Sequence, residues 1–120
     1  MPISLTQDQI DQYYEQGFFI VKDALSNADF EPLETAYGAL IDKRVKNFKE
    51  RGLIGDLCED EPFATRFARI AEQIETEDDD IKRELTWGLD IMHAKLRAMF
   101  KFFFNPNLLA PVESIIGPEI

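Results

Sequence analysis

The stretch YYEQGFFIVKDAL, residues 13–25, joins a polar helical segment to a short apolar run. Apolar residues recur at helical spacing before Gly17, and this glycine suits the left-handed position that ends many helices. Residues 18–21 are too few for another helix, and they are rich in side chains that favour strands. We therefore predict a helix that ends at Gly17 and a short strand directly after it.

Helical periodicity predicts two helices in the first half of the chain. Thr6 and Gln9 have the spacing of a capping box and begin the first helix. The second helix starts at Ser26 or Asn27 and ends near Gly52, and its basic tail suits the negative end of a helix dipole. The apolar positions at helical spacing in this second helix are Phe30, Leu33, Tyr37, Leu40, Ile41, Val45 and Phe48.

Further helices are predicted in the second half. Pro62 opens one of them, which ends before the acidic break at residues 75–80. An apolar pattern then runs from Ile81 to Phe103, and Gly88 divides it into two helices in one interpretation. A last helix covers roughly residues 107–116. The positions expected to be buried are Phe63, Phe67, Ile70, Ile74, Leu108, Leu109, Val112, Ile115 and Ile116. The apolar pattern between these two groups runs through Leu85, Leu89, Met92, Leu96, Phe100 and Phe103.

The predicted fold is therefore mainly α, or α+β overall, with four to six helices and one short N-terminal strand. We expect residues 1–120 to form a single helical region. A lone strand cannot satisfy its own backbone groups, and no second segment of comparable strand character is present. We therefore expect residues 18–21 to pair with a part of the fold that these residues do not supply.

The charge balance limits the classes of partner. Acidic residues outnumber basic ones 23 to 13, which gives a formal net charge of −10. Such a chain is repelled by nucleic-acid phosphates and by anionic membranes, so neither is expected as a partner. The single cysteine cannot form an internal disulfide, and the N-terminus has no signal-peptide pattern. These features predict a cytoplasmic protein.

Two groups of residues raise the question of a metal site. His93, the only histidine, follows Asp90 by three residues, so the two side chains can share a helical face. A metal site needs three or four convergent ligands, and an ordinary helix-surface histidine is the favoured interpretation. The acidic run ETEDDD, residues 75–80, lacks the spacing and the glycine of a calcium loop. A solvated loop that caps the next helix is favoured there.

Other chemistry has little support in the sequence. Cys58 has no histidine nearby, so we interpret it as a structural or incidental thiol. Sequence motifs for a nucleophilic serine, a phosphate-binding loop or a dinucleotide fold are absent. His93, Lys95 and Arg97 form a local basic segment in an acidic chain, and they are candidates for contact with an anion or substrate. An exposed basic helix face is the favoured alternative.

Two stretches nevertheless resemble the phytanoyl-CoA dioxygenase family. Residues 5–33 look like the opening of that family, in which a short capped helix is followed by Gly-Phe, a strand and a turn into a long helix. Residues 105–120 resemble the family's helix that ends in Gly-Pro and leads into the catalytic barrel. The matching positions are Leu5, Thr6, Gln9, Tyr14, Gly17, Phe18, Lys22, Ala28 and Asp29, followed by Pro106, Leu109, Val112, Glu113, Gly117, Pro118 and Ile120.

The resemblance implies a non-haem iron oxygenase that depends on Fe(II) and 2-oxoglutarate. Enzymes of this family hydroxylate carbon in small organic substrates while they oxidise 2-oxoglutarate to succinate and carbon dioxide. Their fold is a double-stranded β-helix barrel flanked by N-terminal helices, and a His-x-Asp motif with a distal histidine holds the iron. By this resemblance the present residues form the helical N-terminal part, and the barrel is absent.

The sequence departs from the family pattern at the iron site. His93 is followed by Ala94 and Lys95, so no His-x-Asp motif exists, and no second histidine is present. We therefore assign no catalytic, cofactor-binding or metal-binding residue and expect the isolated chain to be inert. Its expected partner is the missing C-terminal barrel, or another copy through exposed apolar surface. The alternative is a free-standing acidic helical module that binds other proteins without catalysis.

Overall fold

The computed structural model describes residues 2–120 and is built from helices and irregular connections. Across these residues it contains seven helices and no strand or barrel. The helices are α1 (Gln7–Gln16), α2 (Asn27–Glu50), α3 (Phe63–Glu72), α4 (Asp79–Thr86), α5 (Ile91–Ala94), α6 (Arg97–Phe102) and α7 (Pro106–Ile116). The mainly helical fold is therefore confirmed. No helix of the described part is both long and apolar enough to cross a membrane.

The helices form two compact units. Residues 2–32 and 97–120 make up the first, which we call the terminal unit, and Leu33–Leu96 makes up the second, the central unit. The terminal unit contains α1, the first turns of α2, α6 and α7. The central unit contains the remainder of α2 with α3, α4 and α5.

The predicted ends of α1 are confirmed. The Thr6 side chain accepts a hydrogen bond from the Gln9 backbone, and the Gln9 side chain accepts one from the Thr6 backbone at 2.9 Å. Gly17 follows the last turn with a φ of 81°, and its N–H donates to the carbonyl of Tyr13 at 2.7 Å. This left-handed conformation is the reason why a glycine stands at the position.

The strand predicted at residues 18–21 is not found in the part of the chain that the structure describes. The segment is irregular and leads into a turn in which Asp23 has a φ of 57°. A strand requires a neighbouring chain segment to accept and donate backbone hydrogen bonds, and no such segment lies among residues 2–120. Strand-forming side chains alone therefore did not produce a strand.

The number of helices was also underestimated, because the pattern from Ile81 to Phe103 divides into three helices. Gly88, with a φ of 77°, separates α4 from α5 as one interpretation of the sequence allowed. A second break occurs at Lys95, which has a φ of 48°. Apolar periodicity continues across both breaks, so spacing alone did not reveal the second one.

The core of the central unit confirms most of the predicted apolar stripes. Ile41, Val45 and Phe48 of α2 are buried, and Ile70 of α3 has no exposed surface. Ile54 and Leu85 complete the buried cluster. Partly buried side chains that pack around it are Leu53, Leu57, Cys58, Phe67, Ile74 and Ile81.

Several side chains that were expected to be buried are exposed instead. A helical face becomes buried only where another part of the chain packs on it, and apolar spacing does not show which part that is. In α7, none of the side chains is fully buried. The exposed positions within the predicted apolar patterns are Phe30, Phe63, Met92, Phe100, Phe103, Val112 and Ile116.

Candidate functional site

The terminal unit contains an apolar groove formed by the chain segments near α1 and by α7. Side chains from both ends of the sequence line it, and its volume is about 400 Å³. The lining includes Leu5, Phe18, Phe19, Val21, Leu108, Pro111, Val112 and Ile115. A cavity of this size and lining is within the range of apolar binding sites in proteins.

Hydrogen bonds hold the two sides of the groove together. The backbone N–H of Leu5 donates to the hydroxyl of Ser114 at 2.9 Å. The hydroxyl of Tyr14 donates to the backbone carbonyl of Ile115 at 3.4 Å. Residues more than a hundred positions apart in sequence are thereby brought into one unit.

Large apolar side chains of the same unit remain in contact with solvent. Phe18 is 59% exposed, Ile20 is 71% exposed and Ile116 is 63% exposed. A single exposed apolar residue is common, whereas several of this size in one compact unit form a surface suited to contact with another polypeptide.

A second polar connection in the terminal unit is centred on Asp29. Its carboxylate accepts hydrogen bonds from the Ser26 backbone at 2.7 Å and from the side-chain amides of Asn105 at 2.8 Å and Asn107 at 3.2 Å. These donors, with the Ser26 backbone first and Asn105 next, hold the pKa of Asp29 well below its usual range. The carboxylate therefore remains charged and connects the start of α2 to the start of α7.

The basic segment predicted from sequence is divided between the two units. His93 and Lys95 belong to the central unit, whereas Arg97 begins α6 in the terminal unit. All three side chains are exposed. Their suggested contact with a substrate or anion remains a prediction.

The pair formed by Asp90 and His93 is a local helix cap. The Asp90 carboxylate accepts hydrogen bonds from the backbone of Met92 and His93 at the start of α5. His93 Nδ1 lies 2.8 Å from Asp90 Oδ1, and this hydrogen bond is the main cause of the lowered pKa of Asp90. The His93 ring also packs on Trp87, with 5.1 Å between the ring centroids.

The acidic run at residues 75–80 also includes a helix cap. Asp78 caps α4 by accepting a hydrogen bond from the Asp80 backbone at 2.9 Å, as the interpretation of this run as a capping loop predicted. Within the described residues no group of three or more His, Cys, Asp or Glu side chains is arranged to hold a metal ion.

The donor set of this chain does not fit the iron site implied by the family resemblance. A facial triad requires two histidines and one carboxylate, and the chain has a single histidine. The Nδ1 atom of that histidine is held by Asp90. We therefore assign no iron-dependent step to these residues.

Cys58 occupies a left-handed loop position beside Gln73 of the central unit. Its φ is 52°, and the side-chain amide of Gln73 lies 3.3 Å from its sulfur. Partial burial, and then the carboxylates of Asp56 and Glu61, raise the pKa of the Cys58 thiol. A thiol with a raised pKa is less often ionised at neutral pH, which agrees with the structural interpretation of this residue.

A cleft in the central unit was not predicted from sequence. It has a volume of about 620 Å³ and is formed by side chains of α2 and α4 together with Trp87. The basic tail of α2 had been interpreted only as a complement to the helix dipole, yet Lys43 and Arg44 line this cleft. The one signal in the sequence was its single tryptophan, Trp87, which the structure shows to be 62% exposed directly after α4.

Comparison with protein-family models, curated proteins and solved structures gives no match for this chain.

Proposed function

We propose that these residues form the helical N-terminal part of a phytanoyl-CoA dioxygenase-like oxygenase. The observation that supports this proposal is that residues 5–33 and 105–120, which carry the resemblance, meet almost entirely within the terminal unit. They are joined there by hydrogen bonds from Leu5 to Ser114 and from Asn105 to Asp29. Resemblance in two stretches that are far apart in sequence supports the proposed family more strongly when the two stretches fold into one structural unit.

In this proposal residues 18–21 add a strand to the sheet of the oxygenase barrel. The segment has strand-forming side chains but no partner among residues 2–120, and Ile20 is 71% exposed. Pairing with a sheet edge would satisfy the free backbone groups and cover the apolar side chains. The terminal unit would thereby act as the docking element between the helices and the barrel.

The parent enzyme would use Fe(II) and 2-oxoglutarate to hydroxylate a small organic substrate. Its iron and 2-oxoglutarate ligands would follow Ile120 in sequence, so the 120-residue chain alone would be inert. We expect this chain, incubated with Fe(II) and 2-oxoglutarate, to form no more succinate than a protein-free sample. Succinate above that control would contradict the proposed division between helical part and catalytic barrel.

A test of docking compares one substitution in two contexts. Ile20→Asp places a charge on an exposed side chain, so the stability of the isolated chain should change little. In a longer protein that includes the barrel, the same substitution would bury an unpaired charge, and the Tm should fall clearly. Gln12→Asp, on an exposed position of α1, is the control. Equal effects of Ile20→Asp in both proteins would argue against docking.

The basic segment offers a second test in the longer protein. Its local positive charge suggests that His93, Lys95 or Arg97 helps to shape the substrate site. Arg97→Ala is then expected to raise KM for the substrate or for 2-oxoglutarate. Unchanged values of both constants would count against a role for Arg97.

A free-standing module that binds other proteins is the second candidate. The exposed Phe18, Ile20 and Ile116 favour it as well, because another protein could cover them. The coding sequence separates the two candidates. A reading frame that continues past Ile120 into a His-x-Asp motif and a distal histidine supports the oxygenase, whereas a stop codon directly after Ile120 supports the module.

A further inference from the structure

The cleft of the central unit combines positive charge with aromatic and aliphatic surface. Lys43, Arg44 and Arg83 contribute the charge, and the apolar side chains of the lining are Leu40, Trp87 and the buried Phe48. Its volume of about 620 Å³ lies within the range of roughly 300–1,000 Å³ that small-molecule sites occupy. The chain as a whole has a formal charge of −10, so a cleft with this lining differs from the rest of the protein.

The two carboxylates at the cleft are already paired. Glu84 accepts two hydrogen bonds from Arg51, at 2.7 and 3.1 Å. These hydrogen bonds are the first cause of the lowered pKa of Glu84. Asp80 lies 3.4 Å from Arg83. Among the described residues, neither Lys43 nor Arg44 forms an ion pair within 4.0 Å, so both can approach a ligand, although the charge of Arg44 also helps to lower the pKa of Glu84.

Arg44 is held in place without losing its capacity to bind an anion. One of its terminal nitrogens donates a hydrogen bond of 2.8 Å to the carbonyl of Leu85 near the end of α4. A guanidinium has five N–H donors, so several remain for a second acceptor. Lys43 is adjacent in sequence, is exposed and lines the same cleft. Together the two residues suit recognition of a carboxylate.

Trp87 supplies an exposed aromatic surface at the same place. It is 62% exposed although it lines the cleft, and its ring packs against His93, with 5.1 Å between the two ring centroids. Aromatic side chains gain from contact with another ring, and this gain exceeds the effect of buried area alone. A ligand that carries both a carboxylate and a ring would therefore match the two kinds of surface in the cleft.

We propose that the cleft between α2 and α4 binds a small aromatic carboxylate, with Lys43 and Arg44 at its carboxylate and Trp87 against its ring. This proposal does not rest on the oxygenase proposal, because all the residues it uses belong to the central unit. The phytanoyl-CoA resemblance is carried by other stretches of the chain.

Phenylacetate is a suitable probe, and Trp87 is a direct reporter because the chain has no other tryptophan. Titration with phenylacetate should change the tryptophan fluorescence in a saturable way. Phenylacetamide has the same ring and no charge, so it should bind roughly tenfold more weakly, as expected for the loss of a charge-assisted hydrogen bond. A response that does not saturate, or equal affinities for the two compounds, would overturn the proposal.

Variants test which side chains hold the ligand. Lys43→Gln should weaken phenylacetate binding by roughly fivefold to tenfold. Lys46→Gln is the matched control, since Lys46 is exposed on the same helix and does not line the cleft, and it should leave the affinity within about twofold. Trp87→Leu, followed by calorimetry, should weaken binding as well. Equal effects of the Lys43 and Lys46 variants would overturn the assignment of Lys43.

Discussion

The side-chain amide of Asn105 donates a hydrogen bond of 2.8 Å to the carboxylate of Asp29, across a separation of 76 residues. Each residue also orders the start of a helix. Asn105 accepts a hydrogen bond from the Asn107 backbone at the start of α7, and Asp29 accepts one from the Ser26 backbone at the start of α2. A single carboxylate thus joins two helix starts and contributes to holding the terminal unit together.

Replacement of Asp29 by asparagine should therefore destabilise the chain. Asp29→Asn removes the negative charge that attracts four donor groups, which are the backbone N–H and hydroxyl of Ser26 and the side-chain amides of Asn105 and Asn107. We expect Tm, measured by circular dichroism, to fall by several degrees. Glu31→Gln removes the same charge from an exposed neighbour in α2 and should change Tm much less. A similar fall in Tm in both variants would mean that the loss of a negative charge destabilises the chain wherever it lies, and that the hydrogen bonds of Asp29 are not the cause.

The same carboxylate should make stability depend on pH. In the folded chain the pKa of Asp29 lies far below its ordinary value of 3.8. A lowered folded pKa contributes stability above the unfolded pKa, and this contribution is lost as pH falls toward the folded pKa. In urea unfolding, the free energy of unfolding of the wild type should exceed that of Asp29→Asn most strongly at neutral pH. This difference should shrink below about pH 4. A difference that stays constant would contradict this linkage.

The sequence predicted local features of the fold better than its long-range contacts. The capping box at Thr6 and the glycine end at Gly17 follow from neighbouring residues, and both were predicted. The contact between Asp29 and Asn105 depends on the path of the intervening chain, which periodicity does not contain. The strand predicted at residues 18–21 is not found among the described residues for a related reason, because strand formation depends on a partner segment and not only on side-chain type.

The same distinction applies to the candidate sites. The local role of Asp90 and His93 as a helix cap lay within reach of sequence reasoning, since the residues are three apart. The cleft requires α2 and α4 to lie side by side, and helical periodicity does not contain that arrangement. Arg44 illustrates the difficulty, because its contact with the Leu85 carbonyl joins residues 41 positions apart.

Two glycines allow the conformational role of glycine to be separated from packing. Apart from the adjacent residues and, for Gly38, the backbone of its own helix, no atom lies within 4 Å of the position that a Cβ would take at Gly17 or Gly38. Gly17 has a φ of 81°, whereas Gly38 lies within α2. Gly17→Ala should therefore destabilise the chain by about 1 kcal/mol or more, while Gly38→Ala should stabilise it by about 0.4–1 kcal/mol. If urea unfolding showed that both substitutions change the free energy of unfolding in the same direction, this interpretation would be contradicted.

A final prediction separates the core of the central unit from the exposed surface of the terminal unit. Ile70 has no exposed surface and belongs to the buried cluster with Val45 and Phe48, whereas Ile20 is 71% exposed. Ile70→Ala removes buried methylene and methyl groups and leaves a cavity, which should lower the free energy of unfolding by about 2–5 kcal/mol. Ile20→Ala makes the same chemical change and should alter it by less than about 0.5 kcal/mol in this chain.

Urea unfolding followed by circular dichroism measures both variants under the same conditions. The comparison is informative because the deleted atoms are identical and only their surroundings differ. A loss at Ile20 comparable to that at Ile70 would mean that Ile20 is buried in solution, for example by a second copy of the chain. In that case the loss should diminish on dilution, because association depends on protein concentration while packing within one chain does not.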